Sequence, residues 1–179
     1  ADLLKAACLK GHTDLVGVFI NWRGPGGQWV NAASNRNAAL LSAAREGHVD
    51  VVDRLLSWMG SQGTRVDPRD CGNAALVCAS RCNHWRVVEK LLSWSGPDQE
   101  WMDPRDTEAL SVACVGNFLR VVTALLAWRG PTGQWVDPRE QASESVVYAV
   151  LYGALDVVVV LLKWRGPGRE VVDTCLVRE

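Results

Sequence analysis

Five tryptophans recur along the chain at nearly constant spacing, and this spacing constrains the fold more than any other feature. The five residues are Trp22, Trp58, Trp94, Trp128 and Trp164, separated by 36, 36, 34 and 36 residues. We call them the first tryptophans of five repeats. A period of this length is typical of a repeat architecture in which each unit buries its apolar face against its neighbours.

Apolar residues at fixed distances before each first Trp predict two helices per repeat. Alanine stands fifteen residues before it in every copy, at Ala7, Ala43, Ala79, Ala113 and Ala149. A leucine or valine stands three residues before each alanine, which places both on one helical face. Closer to each Trp, apolar pairs four residues apart, such as Val51-Val52 and Leu55-Leu56, predict a second helix with one buried face.

Polar and glycine residues mark the ends of these helices. N-cap residues are predicted ahead of the first helix at Asn37, Asn73, Thr107 and Ser143. Left-handed residues are predicted after that helix at Gly11, Gly47, Asn83, Asn117 and Gly153. Glycines two residues past each first Trp, at Gly24, Gly60, Gly96, Gly130 and Gly166, are expected to end the second helix. Each unit is therefore predicted as helix, turn, helix and a hairpin-like loop.

The repeat core resembles that of ankyrin repeats. The blocks "AAREGHVDVVDRLLSW" (43–58) and "AACLKGHTDLVGVFINW" (6–22) carry the resemblance, which covers nearly all residues from 2 to 173. The segments "NAALL", "NAALV", "TEALS" and "SESVV" stand where the family has Thr-Pro-Leu-His. The unit is about three residues longer than the usual 33, and the extra length falls in the Trp-Arg-Gly-Pro loop. This lengthened loop is similar to that of ankyrin arrays in large DNA viruses and protists.

The resemblance implies one all-α domain over 1–179, an ankyrin-type α-solenoid of five helix-turn-helix repeats with hairpin-like finger loops. The repeats run approximately over 1–36, 37–72, 73–106, 107–142 and 143–179. It also implies a non-enzymatic module that binds another protein on the concave face formed by inner helices and fingers. The partner's identity does not follow from a repeat scaffold.

Composition excludes several other classes of protein. The formal net charge is -1, so no global field would attract nucleic acid. No apolar run approaches the roughly 18 residues of a membrane-spanning helix, so no membrane insertion is expected. Six cysteines at irregular spacings favour free thiols, hence an intracellular, cytoplasmic protein. Because the chain starts at Ala1 without an initiator Met, we expect a segment of a longer protein.

No catalytic set, metal site or cofactor site is predicted. The three histidines, His12, His48 and His84, occupy one repeat position, which favours a structural hydrogen bond across the turn between the two helices over catalysis. Cys78, Cys82 and His84 lie close in sequence, but Cys71 is the only nearby fourth ligand and no C-x-x-C pair occurs, so buried or half-exposed thiols are favoured over zinc. The glycine-rich loops carry no Gly-Lys-Ser/Thr, so no phosphate is expected there. An enzyme that uses a cysteine remains a rival hypothesis, but no triad supports it.

Arginine and tryptophan residues of the loops are the candidate binding residues. The residues proposed to contact a partner are Trp29, Arg65, Arg69, Arg81, Trp85, Trp101, Arg105, Trp135 and Arg139. Within this set, Arg81, Trp85, Trp101 and Arg105 form a hot-spot candidate where the third repeat departs from the others. The loop arginines, including Arg23, Arg129 and Arg165, have two interpretations. In the first, their guanidinium groups line the fingers and bind carboxylates or backbone carbonyls of a partner. In the second, each arginine pairs with the Asp or stacks on the Trp of its own finger.

The two tryptophans of each finger are predicted to have different roles. The first Trp is expected to fold against its own lengthened finger as a structural anchor. A second Trp stands on the return arm of three fingers, at Trp29, Trp101 and Trp135, and is the one expected to touch a partner. Arg65 and Val171 fill this place in the other two.

The fifth repeat is apolar on the side where a solenoid normally ends in a polar cap. Its residues at these positions are Val146, Val147, Tyr148, Val159 and Val160. Further repeats, a partner or second copy, or residues 173–179 could cover this side. The alternative function is therefore a structural role in which the array self-associates through Val159 and Val160.

Overall fold

The part of the chain that the structure describes contains ten α-helices in five antiparallel pairs, joined by turns and long loops. The computed structural model describes residues 2–105, 107–139, 142–168 and 170–172. The helices are α1 Asp2–Leu9, α2 Thr13–Asn21, α3 Ser34–Glu46, α4 Val49–Leu56, α5 Asp70–Arg81, α6 Trp85–Leu92, α7 Ala109–Val115, α8 Leu119–Ala127, α9 Ala142–Leu151 and α10 Leu155–Lys163. A short 3-10 turn spans Ser61–Gly63.

The helices form two layers. Each odd-numbered helix packs on the next odd-numbered helix, from α1 to α9, and each even-numbered helix packs on the next even-numbered one, from α2 to α10. Within the described residues, extended pairing is limited to isolated antiparallel bridges in the loops. The all-α solenoid of helix-turn-helix repeats is therefore confirmed.

The core runs without interruption through all five repeats. The leucine position of the first helix is buried in each copy, from Leu4 to Val146, and the alanine position beside it is buried as well. Alanine at this site lets neighbouring helices approach closely, while leucine fills the layer between them. The two predicted apolar faces are confirmed.

The turn between the two helices is the one that the sequence predicts. Gly11, Gly47, Asn83, Asn117 and Gly153 have φ angles of 71, 80, 60, 55 and 68°. The next residue then donates its backbone N–H to the carbonyl of the alanine position, as in His48 to Ala43 at 3.0 Å. Glycine and asparagine stand here because the left-handed conformation strains other residues.

The glycines after each first Trp do not end the second helix, so that expectation is wrong. The helix ends before the first Trp in every repeat, and Trp22 is already extended with φ -63° and ψ 137°. Gly60 is extended as well, with φ -82° and ψ -179°. Glycine is needed here because the ring of the first Trp leaves no space for a side chain, and not because the residue forms a left-handed cap.

The asparagines ahead of the first helix do not act as N-caps. Asn35 to Asn37 and Cys71 to Asn73 form left-handed turns, with φ angles of 53 to 57° and 58 to 66°. The side-chain Nδ2 of Asn37 donates to Asp67 O at 2.8 Å, and that of Asn73 donates to Asp103 O at 3.0 Å. Each asparagine therefore ties the start of its own first helix to the base of the finger that ends the same repeat.

Thr107 does act as predicted. Its Oγ1 accepts the backbone N–H of Ala109 at 3.2 Å. The predicted cap at Ser143 lies outside the described side chains, and so does the proposed cover over 173–179.

Candidate binding surface

Each long loop is a short antiparallel hairpin, which we call a finger. Bridges pair Arg23 with Trp29, Met59 with Arg65, Ser95 with Trp101 and Arg129 with Trp135. The finger glycine donates its N–H to the carbonyl four residues later, as in Gly60 to Thr64 at 2.7 Å. Left-handed residues turn the tips at Gly27, Gly63, Gln99 and Gly133. The hairpin-like loops are therefore confirmed, and Trp29, Arg65, Trp101 and Trp135 lie on their return arms.

The first Trp lies against the glycine of its own finger. A Cβ atom built on Gly24, Gly60, Gly96, Gly130 or Gly166 would lie 2.7, 2.7, 3.1, 2.9 or 2.9 Å from Cη2 of the first Trp in that repeat. Real Cβ contacts are essentially never as short as those at Gly24, Gly60, Gly130 and Gly166 and are seldom as short as that at Gly96, so a larger residue would push against the ring. The predicted anchoring of the first Trp on its finger is confirmed.

The first Trp also holds neighbouring repeats together, which the sequence does not reveal. Trp58 Nε1 donates to Ile20 O at 3.2 Å, across the junction between the first two repeats. Trp29 stacks on Trp58 with ring centroids 5.6 Å apart. Trp22, which follows no described repeat, is 46% exposed, whereas Trp58 is 6% exposed. The ring therefore fills the space between successive fingers.

The second tryptophans are half-buried. Trp29, Trp101 and Trp135 pack against the core on one side, and Nε1 of Trp135 is buried without a hydrogen-bond acceptor. Part of each residue remains accessible to solvent. Arg65, which replaces the second Trp in its finger, is also half-buried.

Each Asp-Pro-Arg motif holds an ion pair within its own finger base. Arg69 Nη2 lies 2.6 Å from Asp67 Oδ2, Arg105 Nη2 lies 2.6 Å from Asp103 Oδ2, and Arg139 Nη2 lies 2.7 Å from Asp137 Oδ2. The same arginines donate through Nε and the backbone N–H, so each carboxylate accepts several bonds. The interpretation that these arginines pair with their own Asp is confirmed.

These bonds control the ionisation of the aspartates. Burial alone would raise the pKa of Asp67, Asp103 and Asp137, but hydrogen bonds from the side chain and backbone of the following Arg outweigh it. The pKa of each carboxyl is therefore held below its ordinary value. The hydrogen bond with Asp67, followed by the charges of Asp67 and Glu100, raises the pKa of Arg69.

The same arginines reach the next repeat. Arg69 forms a second ion pair with Glu100 at 2.9 Å, and its guanidinium lies 5.5 Å from the ring centroid of Trp94. Arg139 lies 6.0 Å from the ring of Trp164 in the same way. The sequence predicts that each arginine stacks on the Trp of its own finger. In the structure, Arg69 and Arg139 stack on the first Trp of the following repeat instead.

The arginines directly after a first Trp serve a third role. Nη1 of Arg129 donates to Leu126 O at 2.9 Å and to Trp128 O at 2.7 Å. Arg23 and Arg165 bind the equivalent carbonyls. Neither the partner-binding interpretation nor the Asp- or Trp-pairing interpretation includes this role. It depends on backbone carbonyls that are left unpaired at the end of a helix, and no residue type marks them in the sequence.

The four hot-spot candidates fall into two groups at opposite ends of the repeat. Arg81 ends α5, where it lies 3.4 Å from Glu108, and Trp85 begins α6. Trp101 and Arg105 lie beyond the other end of α6, which is eight residues or about 12 Å long.

A pair of guanidiniums flanks Trp85 on the outer layer. Arg86 lies 4.9 Å and Arg120 lies 4.4 Å from the centroid of its ring. Trp85 therefore contributes an aromatic-cationic patch at the turn end of the repeats, away from the fingers.

The histidines bind between repeats. His48 Nε2 lies 3.2 Å from Leu9 O, and His84 Nε2 lies 2.9 Å from Arg45 O. Each ring packs against the left-handed glycine of the preceding repeat, where a Cβ on Gly11 or Gly47 would clash with it. A structural hydrogen bond is therefore the role that the geometry supports, although it spans the repeat junction and not the turn of the same repeat.

Burial makes two of the thiols unreactive. It raises the pKa of Cys8 and Cys114 to about 12, so both stay protonated at neutral pH.

Across the described ranges, no group of three or more His, Cys, Asp or Glu side chains is placed to hold a metal ion. In the same part of the chain, no helix has the length and hydropathy to cross a membrane.

Grooves open beside the third and fourth fingers. The groove of the third finger is about 500 Å³ and is lined by Arg69, Asn73, Asp98, Gln99, Glu100, Trp101 and Asp103. The groove of the fourth finger is about 260 Å³ and is lined by Arg105, Thr132, Gly133, Gln134, Trp135 and Asp137. Both combine a second Trp, an Asp at the finger base and the Arg of the preceding finger base. The same chemistry is therefore presented twice, one repeat apart.

A family model for ankyrin repeats, in three copies, matches residues 3–100, more than half of the 179-residue chain. The chain belongs to the ankyrin repeat family. The helix pairs α7–α8 and α9–α10 continue the same architecture beyond the matched residues. Ankyrin repeats are generally protein–protein interaction modules and are typically non-enzymatic. No curated protein sequence matches the chain.

Proposed function

We propose that this ankyrin array is a non-enzymatic module that binds a protein partner on its finger face. We define the finger face as the return arms of the fingers together with the inner helices α1, α3, α5, α7 and α9. The observation that carries the proposal is the repetition of one groove chemistry beside the third and fourth fingers. A partner that spans both grooves would meet a half-buried Trp, an Arg and an Asp in each, the Arg and the Asp belonging to two successive ion pairs.

The geometry of these residues suits protein recognition. Trp and Arg are the residues that most often dominate the binding energy of protein interfaces. The Arg–Asp pairs fix the side chains at the groove floor before a partner arrives, so little conformational freedom is lost on binding. We propose Trp29, Arg65, Arg69, Trp101, Arg105, Trp135 and Arg139 as contact residues on this face.

Arg81, the last residue of the inner helix α5, and Trp85, the first residue of α6, form a second candidate patch at the turn end of the third repeat, away from the finger grooves. Because α6 separates this patch from the finger groove, only a partner that reaches around the array would touch both. We keep the two residues as a second, independent contact proposal.

The charges of the finger face support a protein partner over nucleic acid. Arg69, Arg105 and Arg139 are each paired with a carboxylate, whereas phosphate-backbone binding needs cations whose charge is not already neutralised.

The five described cysteines are all unpaired, which supports an intracellular, cytoplasmic location.

The proposal is tested by affinity capture from a cell extract with four forms of the chain. The finger-face variants Gln99→Arg and Trp101→Ala are compared with wild type and with Asp50→Arg, an exposed residue of the outer helix α4. We expect the finger variants to lose captured proteins that wild type and the outer-helix control retain. If all forms capture the same proteins in the same amounts, the finger-face proposal is wrong.

A second candidate function is self-association through the fifth repeat. Val159 is 40% exposed at the end of the array, which favours this role, while Val160 packs against the core. We propose that Val159 contributes more than Val160 to such a contact. The double variant Val159→Asp plus Val160→Arg is expected to abolish it, and persistence of the self-association in this variant would overturn the proposal.

A further inference from the structure

The first turn of the outer helices carries a charge whose sign changes in two neighbouring repeats. The residue eight positions before the first Trp is Asp14, Asp50 or Asp156 in the first, second and fifth repeats, but Arg86 or Arg120 in the third and fourth. All five side chains are exposed. A carboxylate in the first turn interacts favourably with the positive end of the helix dipole, whereas a guanidinium opposes it. Helix stability therefore does not account for the two arginines.

Both arginines lie against one aromatic ring. Arg86 lies 4.9 Å and Arg120 lies 4.4 Å from the ring centroid of Trp85, which stands where the other repeats carry threonine, valine or leucine. Their two charges are therefore within about 10 Å of each other, which is one Debye length at about 0.1 M salt. An anion placed beside the ring would feel both charges. We call Trp85, Arg86 and Arg120 the outer patch.

The two guanidiniums keep their charge. Within the described part of the chain, neither forms an ion pair, whereas Arg81 at the same end of the repeat pairs with Glu108 at 3.4 Å. Glu89 stands one turn after Arg86 on α6 and does not pair with it. A cation–π contact neutralises no charge and leaves N–H donors of a guanidinium available. Both arginines can therefore bind an anion from outside the chain.

The outer patch is two repeats wide and has acidic neighbours. Asp50 and Asp156 stand at the equivalent position of the repeats on either side. A nucleic acid strand would extend past the two arginines onto these carboxylates, which repel its phosphates. A short extended peptide fits better, because alternate side chains lie on one face about 7 Å apart. Two carboxylates at this spacing can each bind one arginine.

We infer that the outer patch binds an acidic segment of a protein partner, through two carboxylates that stand two residues apart in an extended conformation. A guanidinium binds a carboxylate through two parallel N–H···O bonds, which gives the contact a defined geometry. Since the formal net charge of the chain is -1, its overall charge does not attract an acidic peptide, and binding depends on the local charges. This inference rests on the proposal that Trp85 contacts a partner, and it names the chemistry of that partner.

The test is fluorescence anisotropy of a labelled peptide of alternating Glu and Ser, titrated with the full chain at low and high salt. A peptide of alternating Gln and Ser is the matched control probe. We expect wild type to bind the Glu peptide, more weakly at high salt, and not to bind the Gln peptide. Arg86→Gln and Arg120→Gln should each weaken binding by about two- to fivefold, as expected for an exposed ion pair. Arg54→Gln removes an exposed arginine of α4 and should bind as wild type does.

A charge reversal separates binding from folding. The double variant Arg86→Asp plus Arg120→Asp places in both repeats the residue that the other three repeats carry. Because aspartate suits the first turn of a helix, this variant should fold and should lose binding of the Glu peptide. It should also bind a peptide of alternating Lys and Ser more tightly than wild type does. Circular dichroism and urea denaturation check that each variant is folded.

Three results would overturn the inference. If the Glu peptide binds wild type and the double variant equally, the outer patch is not its site. If a single-stranded oligonucleotide or a phosphatidylserine vesicle binds through Arg86 and Arg120 and the Glu peptide does not, the patch recognises phosphate. If the Glu peptide does not bind and the double variant abolishes self-association seen by light scattering, the patch binds a second copy of the chain.

Capture from a cell extract with Trp85→Ala distinguishes this inference from the contact proposal on which it rests. If Trp85→Ala loses proteins that wild type captures, but the Glu peptide does not bind wild type, only the acidic chemistry is wrong. If Trp85→Ala captures what wild type captures and the peptide does not bind, both are wrong. Capture by the finger face is measured independently of either outcome.

Discussion

At the residue scale, the first Trp explains why the lengthened finger is compatible with close stacking of repeats. Its ring covers the finger glycine, and in the second repeat its Nε1 bonds to the preceding repeat. A longer loop without such an anchor would add conformational freedom that folding must overcome. The ring therefore serves the finger and the junction at once.

Removing the indole N–H should separate these two contributions. Trp58→Phe keeps an aromatic ring beside Trp29 but loses the bond to Ile20 O, so we expect unfolding to become easier by about 0.5–1.5 kcal/mol from that bond, with a further loss from packing. Trp22→Phe, at the exposed copy, is the matched control and should cost less. Urea denaturation followed by circular dichroism measures both, and equal losses would contradict the junction role.

The Arg–Asp pairs predict a specific dependence of stability on pH. Because the pKa of Asp137 is lowered in the folded state, its contribution is complete above the unfolded value of about 3.9 and disappears as pH falls through the folded value. We expect Asp137→Asn to lose about 1.5–3 kcal/mol at neutral pH.

The same comparison at acid pH provides the check. The urea midpoints of wild type and Asp137→Asn should begin to converge as pH falls below the unfolded pKa of about 3.9, and should coincide only below the lower folded pKa of Asp137. Asp103→Asn is the matched variant and should lose less at neutral pH, because its side chain is 31% exposed against 8% for Asp137. A difference that stays constant with pH would contradict the pairing.

At the element scale, the turn between helices joins local conformation to repeat stacking. Gly47 and Gly153 occupy the same left-handed position, but only Gly47 lies against a histidine ring of the next repeat. Gly153→Ala should therefore cost only the backbone strain, about 1–2 kcal/mol. Gly47→Ala should cost at least about 1 kcal/mol more, because its Cβ displaces His84 from Arg45 O. Thermal and urea unfolding of the two variants would contradict this if their losses were the same.

The elements themselves could be predicted from the sequence because their signals are local. The apolar positions of each helix pair and the left-handed residues such as Asn83 follow from spacing and residue type alone. The sequence does not reveal the role of Gly60, because glycine is expected both where it caps a helix and where it makes room for a ring. It does not reveal the role of Asn37, because the acceptor of its side chain lies thirty residues later, at Asp67.

The candidate site was less predictable than the fold. The bond of Asp103 to Arg105 lies within three residues and could be proposed from the Asp-Pro-Arg motif. The separation of Trp85 from Trp101 could not, because it depends on the direction in which α6 runs between them. Contacts between repeats, such as Arg69 with Trp94, likewise require the stacking distance to be known.

At the scale of the whole molecule, five similar units produce two kinds of surface. The finger face repeats a polar and aromatic groove beside the third and fourth fingers, and the fifth repeat exposes apolar side chains such as Val159. Each repeat contacts only its neighbours, so stability is distributed along the array and the surfaces can act independently. Partner binding and self-association through the fifth repeat are therefore compatible in one assembly.

Site-specific photo-crosslinking tests the central claim, that the finger face binds the partner. A photo-reactive amino acid is placed at Gln99 or Gln134 on the finger face, and at Asp50 or Asp156 on the outer helices as a control. We predict that crosslinks to captured proteins form from the two finger positions and are absent from the two outer positions. Crosslinks that form only from Asp50 and Asp156 would contradict the account.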